Sequence, residues 1–524
     1  MKTKVGILAM AALLCLPLVA TSTAGAATPS GDGGPDGGSA ALCTTPRSKA
    51  ANVNTDCKTD GNNFETTIAV NPTNPRNIVG AAIEIVRPPA GGITILSRPH
   101  VSFDGGKSWT TYAIDYEPGV ATADPSVAFD DAGTVYLASN YSSLDGSRND
   151  TVVTHSTDGG RTWSRPVAVA TGVFHGGRGV FNDHPKIAAF GNGRVLVNWI
   201  RNVYGQGFVL KRAPVAASVS ADGGVTWSPP KIISGHAPFC EGRQCDDACD
   251  QTFGNGVAMT AAGAVVTFQH TYESDDAAEK ALGRNKYLAV TLDPFTGERT
   301  GGPYLIGQSY DGINEHDYPL ASGGYQTLQD SQFGVNSDGN VTVDPSDPSH
   351  YAVVWYDDRN APHPVDTDPY TAVTNADIVV SQSFDGGATW TAPITLDRRN
   401  DQFMPFAAYD AEGRLHVGFF DRAYDLANHK YGYTLASEVT PGSLQFTFQR
   451  VSTALSEPTR DNLASRGGPN PDFPFPAASV GDYSAIAVTP DAVVAYWTDL
   501  RNTACRGGRC GYRQDAYFAS VPNP

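Results

Sequence analysis

The sequence predicts an all-β chain: a single β-propeller of four-stranded antiparallel blades, seven in number, with six as the alternative count. Three observations predict it. The pattern Ser-x-Asp-Gly-Gly-x-(Ser/Thr)-Trp occurs four times, starting at Ser102, Ser156, Ser220 and Ser383. A longer repeat of strand-like segments surrounds each copy, and repetition at this scale is the signature of an array. No stretch carries a sustained 3.6-residue apolar period, so minimal helix is expected.

Each element has a physical reason. Asp-Gly-Gly between β-formers is a hairpin turn, because glycine supplies φ > 0 and the aspartate accepts hydrogen bonds from turn N–H groups. The closing Trp109, Trp163, Trp227 and Trp390 each offer a large ring for burial. An acidic residue opens the first strand of a unit, as in Asp124-Pro-Ser-Val, Asp183-His-Pro-Lys and Asp482-Tyr-Ser-Ala. Turns such as Asn71-Pro-Thr-Asn-Pro75 and Asp344-Pro-Ser-Asp-Pro348 lead to second strands at 135–139, 195–200, 351–356, 415–420 and 493–498. The third strand runs into the Asp-Gly-Gly turn, and the fourth carries the tryptophan away. Pro166, Pro230 and Pro393 fit an outer edge, where a missing N–H costs little.

Unit starts fall near Glu65, Asp124, Asp183, Asp250, Phe333, Asp401 and Asp482. In the fourth and sixth units other turn residues, Asp293 to Gly297 and Thr440-Pro-Gly442, replace the pattern. The last unit shows three strands, and residues 43–55 are expected to supply a fourth and close the ring. Long inserts at 234–250, 272–285, 308–332 and 358–376 are expected on one face, carrying recognition.

The ends and the composition bound the setting. Lys2 and Lys4 precede an apolar run from Val5 to Ala20, and Ala24-Gly-Ala26 suits a signal peptidase. Residues 1–26 are therefore expected to be a secretory signal, 27–59 a flexible segment and 60–524 the propeller. Losing the two lysines and no acid takes the net charge from −17 to −19. That charge argues against nucleic acid and anionic membrane as partners. No later stretch reaches the roughly 18 apolar residues of a membrane span, so a secreted monomer is expected. Export makes disulfides plausible: Cys43–Cys57, Cys505–Cys510, and one pair within Cys240, Cys245 and Cys249, where zinc is disfavoured by irregular spacing. No cofactor or metal is expected, a ring of carboxylates around calcium being the minority reading.

The four-fold pattern resembles the Asp-box (BNR) repeat of sialidase-like β-propellers. The resemblance implies that the Asp boxes lie on the face away from the ligand. It places the acidic first-strand starts and the second-strand ends (Trp199-Ile-Arg201-Asn202, Trp355 to Asn360, Phe420-Asp421-Arg422, Trp497 to Asn502) around one axial mouth. It further implies a protein acting on a glycan, as an exo-α-sialidase-like hydrolase that retains configuration. Three arginines among Arg201, Arg359, Arg422 and Arg501 would grip the substrate carboxylate with planar forks. Tyr483, in Tyr483-Ser484, would be the nucleophile; Glu315 or Glu273 would take its proton, and Asp124 or Asp183 would serve as acid/base. Where the family carries an early Arg-Ile-Pro, this chain has Phe64-Glu-Thr-Thr-Ile.

Other readings stay open. Each arginine has the plainer role of bracing a carboxylate of its own or the next blade. Tyr318, Tyr356, Phe420 and Tyr424 either stack on sugar rings or pack between loops. Symmetric Asp–Arg pairs would mark a non-catalytic carbohydrate- or protein-binding propeller. Two facing carboxylates without an arginine trio would mark a glycosidase for a neutral polysaccharide.

Overall fold

Seven antiparallel sheets follow one another along the chain. The computed structural model describes residues 40–57, 62–86, 94–240, 247–271, 285–311, 318–321, 326–362, 368, 370–458, 480–506 and 509–523. Innermost strands are Asn63–Val70, Val120–Phe129, Arg178–Phe190, Thr252–Thr260, Asn340–Asp344, Gln402–Tyr409 and Ala485–Thr489. Successive inner strands pack on one another and the last packs on the first, so the sheets close into a seven-bladed propeller. Seven, not six, is the blade count. Helix is almost absent from the described residues, with a single 3-10 turn at Gln206–Phe208.

The ring closes with strands from both ends of the chain. Val53–Asn54 adds the outer strand of blade 7, Val53 pairing with Phe518. A buried polar knot backs the seam: the Thr55 hydroxyl lies 2.8 Å and the Tyr496 hydroxyl 2.7 Å from His100 Nδ1. Ala41–Thr44 adds a fifth strand to blade 1. Two strands thus lie within the segment 27–59 expected to be flexible; its residues before 40 fall outside the described ones. Cys43 is bonded to Cys57 and Cys240 to Cys249. Cys245 lies outside the described residues, and Cys505 and Cys510 are cross-strand partners in the backbone register.

The four Asp-Gly-Gly turns share one geometry. Both glycines have positive φ, as at Gly105 (72°) and Gly106 (83°). Asp104 Oδ1 accepts the N–H groups of Lys107 and Ser108, the Ser102 hydroxyl accepts from Gly106, and the Trp109 indole donates to the Gly106 carbonyl. The second glycine meets the preceding blade: a Cβ on Gly160 would sit 2.9 Å from Val101, and one on Gly106 2.0 Å from Phe518. The motif therefore rivets blade to blade, and only glycine fits. Trp109 and Trp163 are buried, Trp109 beside Phe518 at 5.0 Å. Pro166, Pro230 and Pro393 immediately precede the short outer strands Val167–Ala170, Lys231–Ile232 and Ile394–Thr395.

Candidate functional site

Strand polarity fixes the two ends of the wheel. Inner strands begin at one end, and the turns between third and fourth strands, where Asp-Gly-Gly lies, fall at the other. At the starting end, five inner strands carry a β-bulge. The register breaks between Phe64 and Thr67, Ala123 and Ser126, Asp183 and Lys186, Phe253 and Asn255, and Phe403 and Phe406. A residue with φ near +50° sits in each: Glu65 (55°), Asp124 (51°), His184 (50°), Gly254 (55°) and Met404 (50°). Positive φ in a non-glycine residue is strained and concentrates at functional places. Pro125, Pro185 and Pro405 follow three of them, because an unpaired bulge residue is where an inner strand tolerates a missing N–H. Glu65, Asp124 and Asp183 therefore stand inside their strands at a bulge, whereas Asp250, Asp401 and Asp482 lie just ahead of theirs, as expected.

The bulges bring together Glu65, Asp124, Asp183, His184, Lys186, Asp338, Asp482 and Tyr483. Asn140 Nδ2 bridges Asp124 and Asp183, lying 3.1 Å from Asp183 Oδ1. Asn202 Nδ2 reaches Asp183 Oδ2 at 3.4 Å. His184 Nε2 lies 3.5 Å from Asp482 Oδ2, and its Nδ1 lies 4.0 Å from Asp338 Oδ2. The Tyr483 hydroxyl donates to the Pro125 carbonyl at 3.0 Å, and Lys186 Nζ stands 3.6 Å from the centre of the Tyr483 ring. Lys186, Asp338, Asp482 and Tyr483 line one end of an axial channel whose walls continue through Thr67, Ser126, Asn255 and Asn340. Four buried atoms make no hydrogen bond: Glu65 Oε2, Asp338 Oδ2, Asp482 Oδ1 and His184 Nδ1.

Burial among like charges lifts these carboxyls. Burial first, then Asp124 and Asp482, holds Glu65 well above the usual carboxylate range. Burial takes Asp482 up to about 7. Asp183 rises to about 6, burial and Asp124 outweighing the opposing His184. Asp338 is also raised by burial. Burial opposes charging of His184, but Asp124, Asp183 and Asp482 outweigh it and raise its pKa. Burial, then Glu65 and Asp124, pushes the Tyr483 phenol well above 10. Asp183 and Lys186 are the half-buried members of the cluster, and the others are buried. Among the described residues no group of three His, Cys, Asp or Glu side chains has a metal-holding arrangement.

The arginines tell a different story. Arg359 forks onto Asp357 with both contacts at 2.7 Å, and Arg501 onto Asp499 at 2.9 and 2.7 Å. Each of these aspartates also accepts from an indole, Trp355 or Trp497, at 3.0 Å. Arg422 is fully buried against Asp401 at 3.1 Å and the carbonyls of Gln329 and Asn428. Asp401, one of the acidic strand starts, thus serves as a brace. Among the described residues Arg201 has no such carboxylate. Glu315 and Glu273 lie outside the described residues. Tyr318, Tyr356 and Phe420 are completely buried and belong to the core, so of the two readings packing is theirs and stacking is not; Tyr424 is half-buried. Sequence reasoning brought Glu65, Asp124, Asp183, Asp482 and Tyr483 to this end and missed His184, Lys186 and Asp338. The acid or histidine before proline inside an apolar strand was the available signal for His184.

No protein-family model and no curated protein matches the sequence. Among solved structures, the chain is similar to a protein of unknown function from Dyadobacter fermentans DSM 18053 at 14% identity and TM-score 0.42, covering 77% of this chain and 100% of that one. It is similar to the Hadza microbial sialidase Hz136 at 14% identity and TM-score 0.39, covering 68% of this chain and 63% of that one. A third is the α-L-arabinanase of Penicillium chrysogenum complexed with arabinobiose, at 12% identity and TM-score 0.42, covering 90% of this chain and 98% of that one. Likenesses this distant carry no argument about what the present chain does.

Proposed function

We propose that the axial cluster is the catalytic centre of an exported, glycan-acting glycoside hydrolase. The observation that carries this reading is Asp183. It is half-buried, its pKa is raised to about 6, and Asn140 ties it to a second carboxylate, Asp124. A carboxyl whose pKa is raised toward neutrality can hold its proton for general acid catalysis. Asp183 donates a proton to the departing glycosidic oxygen. Water adds to the anomeric carbon from the opposite side and gives up its proton to another carboxylate of the cluster. In the finer, exo-α-sialidase-like form, Tyr483 attacks first, its proton passes to a neighbouring carboxylate, and water then releases the sugar from the tyrosine. The Cys43–Cys57 and Cys240–Cys249 bonds suit an oxidising compartment.

The decisive measurement is turnover on a panel of fluorogenic glycosides that includes a sialoside. Asp183→Asn is expected to lower kcat by roughly a hundred-fold or more, the usual contribution of a positioned acid. Wild-type rates in that variant would eliminate the mechanism. Tyr483→Phe separates the two forms, because full activity would remove the tyrosine as nucleophile and leave direct attack by water.

A second reading is favoured by one specific observation. Arg359, Arg422 and Arg501 are each held by an aspartate of their own blade, the arrangement of a symmetric scaffold. Binding of a glycan with no turnover of any glycoside would establish a non-catalytic propeller instead.

A further inference from the structure

Equivalent positions in the second strands reveal one reversal of charge. Across the inner ladder, Asn63 faces Glu84 in blade 1, Gln402 faces Asp421 in blade 6, and Asn182 faces Arg201 in blade 3. Two residues after an aromatic, blades 5, 6 and 7 carry Asp357, Asp421 and Asp499, and each receives a guanidinium, from Arg359, Arg398 and Arg501. Glu84 receives Arg98 at 3.2 Å in the same way. Blade 3 has the aromatic, Trp199, but the residue two positions later is Arg201. With no aspartate there, the Trp199 indole donates to Asn182 Oδ1 at 3.0 Å.

Arg201 is half-buried and has no ion pair or side-chain hydrogen bond among the described residues. A second arginine in the same condition, the exposed Arg212, is its neighbour. The strand Val209–Arg212 folds back onto the long second strand Arg194–Gly205, and Arg212 pairs with Val203. Side chains two apart on a strand share a face, so Arg212 lies diagonally across from Arg201. Burial and the Arg212 charge lower the pKa of Arg201. An aromatic cluster stiffens the hairpin that presents them, Phe174 lying 5.4 Å from Tyr204 and 5.7 Å from Phe208. Two adjacent, unpaired guanidiniums in a chain of net charge −17 repel each other and call for a shared anion.

We propose that Arg201 and Arg212 form an oxyanion subsite that takes a carboxylate or sulfate group carried by the glycan. Arg201 stands where blades 1, 5, 6 and 7 place an acid and blades 2 and 4 place Tyr141 and His270, so it is the one guanidinium at this position among the repeats. The next residue, Asn202, holds Asp183, so the strand that carries the proposed acid's partner presents Arg201 on its other face. The inference rests on the hydrolase reading for its meaning but not for its test.

The test is calorimetric titration at fixed ionic strength with three tetrasaccharides: a polyuronate, a heparin-derived sulfated one and a neutral one. Arg201→Gln is expected to weaken binding of an acidic tetrasaccharide by about ten-fold or more, the worth of a hydrogen bond to a charged group. Lys107→Gln, a charge removed at the opposite end of the wheel, is expected to leave it unchanged. The tetrasaccharide whose binding depends on Arg201 names the oxyanion. Arg201→Asp restores the acid that blades 1, 5, 6 and 7 carry, so it is expected to abolish binding and raise the melting temperature. Equal affinity in wild type and Arg201→Gln, equal weakening by Lys107→Gln, or no binding of either acidic tetrasaccharide by the wild type would overturn the subsite. Binding that depends on Arg201 in a protein with no glycosidase activity would keep the subsite and remove the hydrolase.

Discussion

The Asp-Gly-Gly turns and the axial ring both set carboxylates in or beside backbone with positive φ, yet they treat the charge in opposite ways. At the turns every aspartate accepts two backbone N–H groups or a hydroxyl as well, and the carboxylate is held ionised. The Thr226 hydroxyl and N–H hold Asp222 down to about 2. In the ring, burial and neighbouring acids keep carboxyls protonated, and four polar atoms have no hydrogen bond. Satisfied carboxylates make the frame, and unsatisfied ones store free energy that a ligand or a proton can release. The braces at the second-strand ends belong with the turns: they lie beside the ring, but each carboxylate is paired with a guanidinium.

If that division holds, breaking a fully buried ion pair costs most. Asp401 accepts from Arg422, the Thr374 hydroxyl and the Ala376 N–H, and Arg422 is fully buried. Asp401→Ala leaves a guanidinium uncompensated in the interior, for an expected loss of about 3–5 kcal/mol. Urea unfolding measures it, and a loss under about 1 kcal/mol would move the brace out of the frame. At a turn the loss is smaller. Asp158 accepts from the N–H groups of Arg161 and Thr162 and from the Thr162 hydroxyl, and it is half-buried. Asp158→Ala is expected to cost about 1–2 kcal/mol by the same measurement, the range for losing a side-chain cap on backbone N–H groups.

The two ends also differ in how far the sequence revealed them. The turns repeat four times with the same residues, because a tight hairpin that presses on the next blade admits only Gly-Gly and one acceptor. That repetition made the blade order and the seven units readable. The ring does not repeat. Its places are taken by Glu65, Asp124, His184, Gly254 and Met404, since the bulge fixes backbone and leaves chemistry free. Asp338 belongs to the blade whose unit start was placed at Phe333, five residues early, where no acid stood. The arginines were readable as residues but not as partners. Arg359 and Arg501 follow their aspartates by two positions, and only the folded strand end turns that spacing into a fork. Arg201 looked like a fourth copy; its difference lies in the missing aspartate, which register alone exposes.

Acidity gives the finest separation, because the two classes tilt stability in opposite directions. The folded chain keeps a proton on Asp482 and Asp183 up to about 7 and about 6, whereas an unfolded chain releases it near about 4. Folding therefore takes up protons between those values, and stability falls as pH rises from about 4 to about 7. For Asp222 the folded value of about 2 lies below the unfolded one. Its contribution is present above about pH 4 and is lost as pH falls toward 2. Melting temperature against pH should thus show two limbs. Asp482→Asn is expected to flatten the upper limb by on the order of 1 kcal/mol between pH 5 and pH 8 and to leave the lower one alone. Asp222→Asn is expected to soften only the lower limb, since the carboxylate is close to solvent and screened. If Asp482→Asn instead loses stability at pH 8, the ring carboxylate is ionised and well solvated there, and the contrast between the two ends of the wheel dissolves.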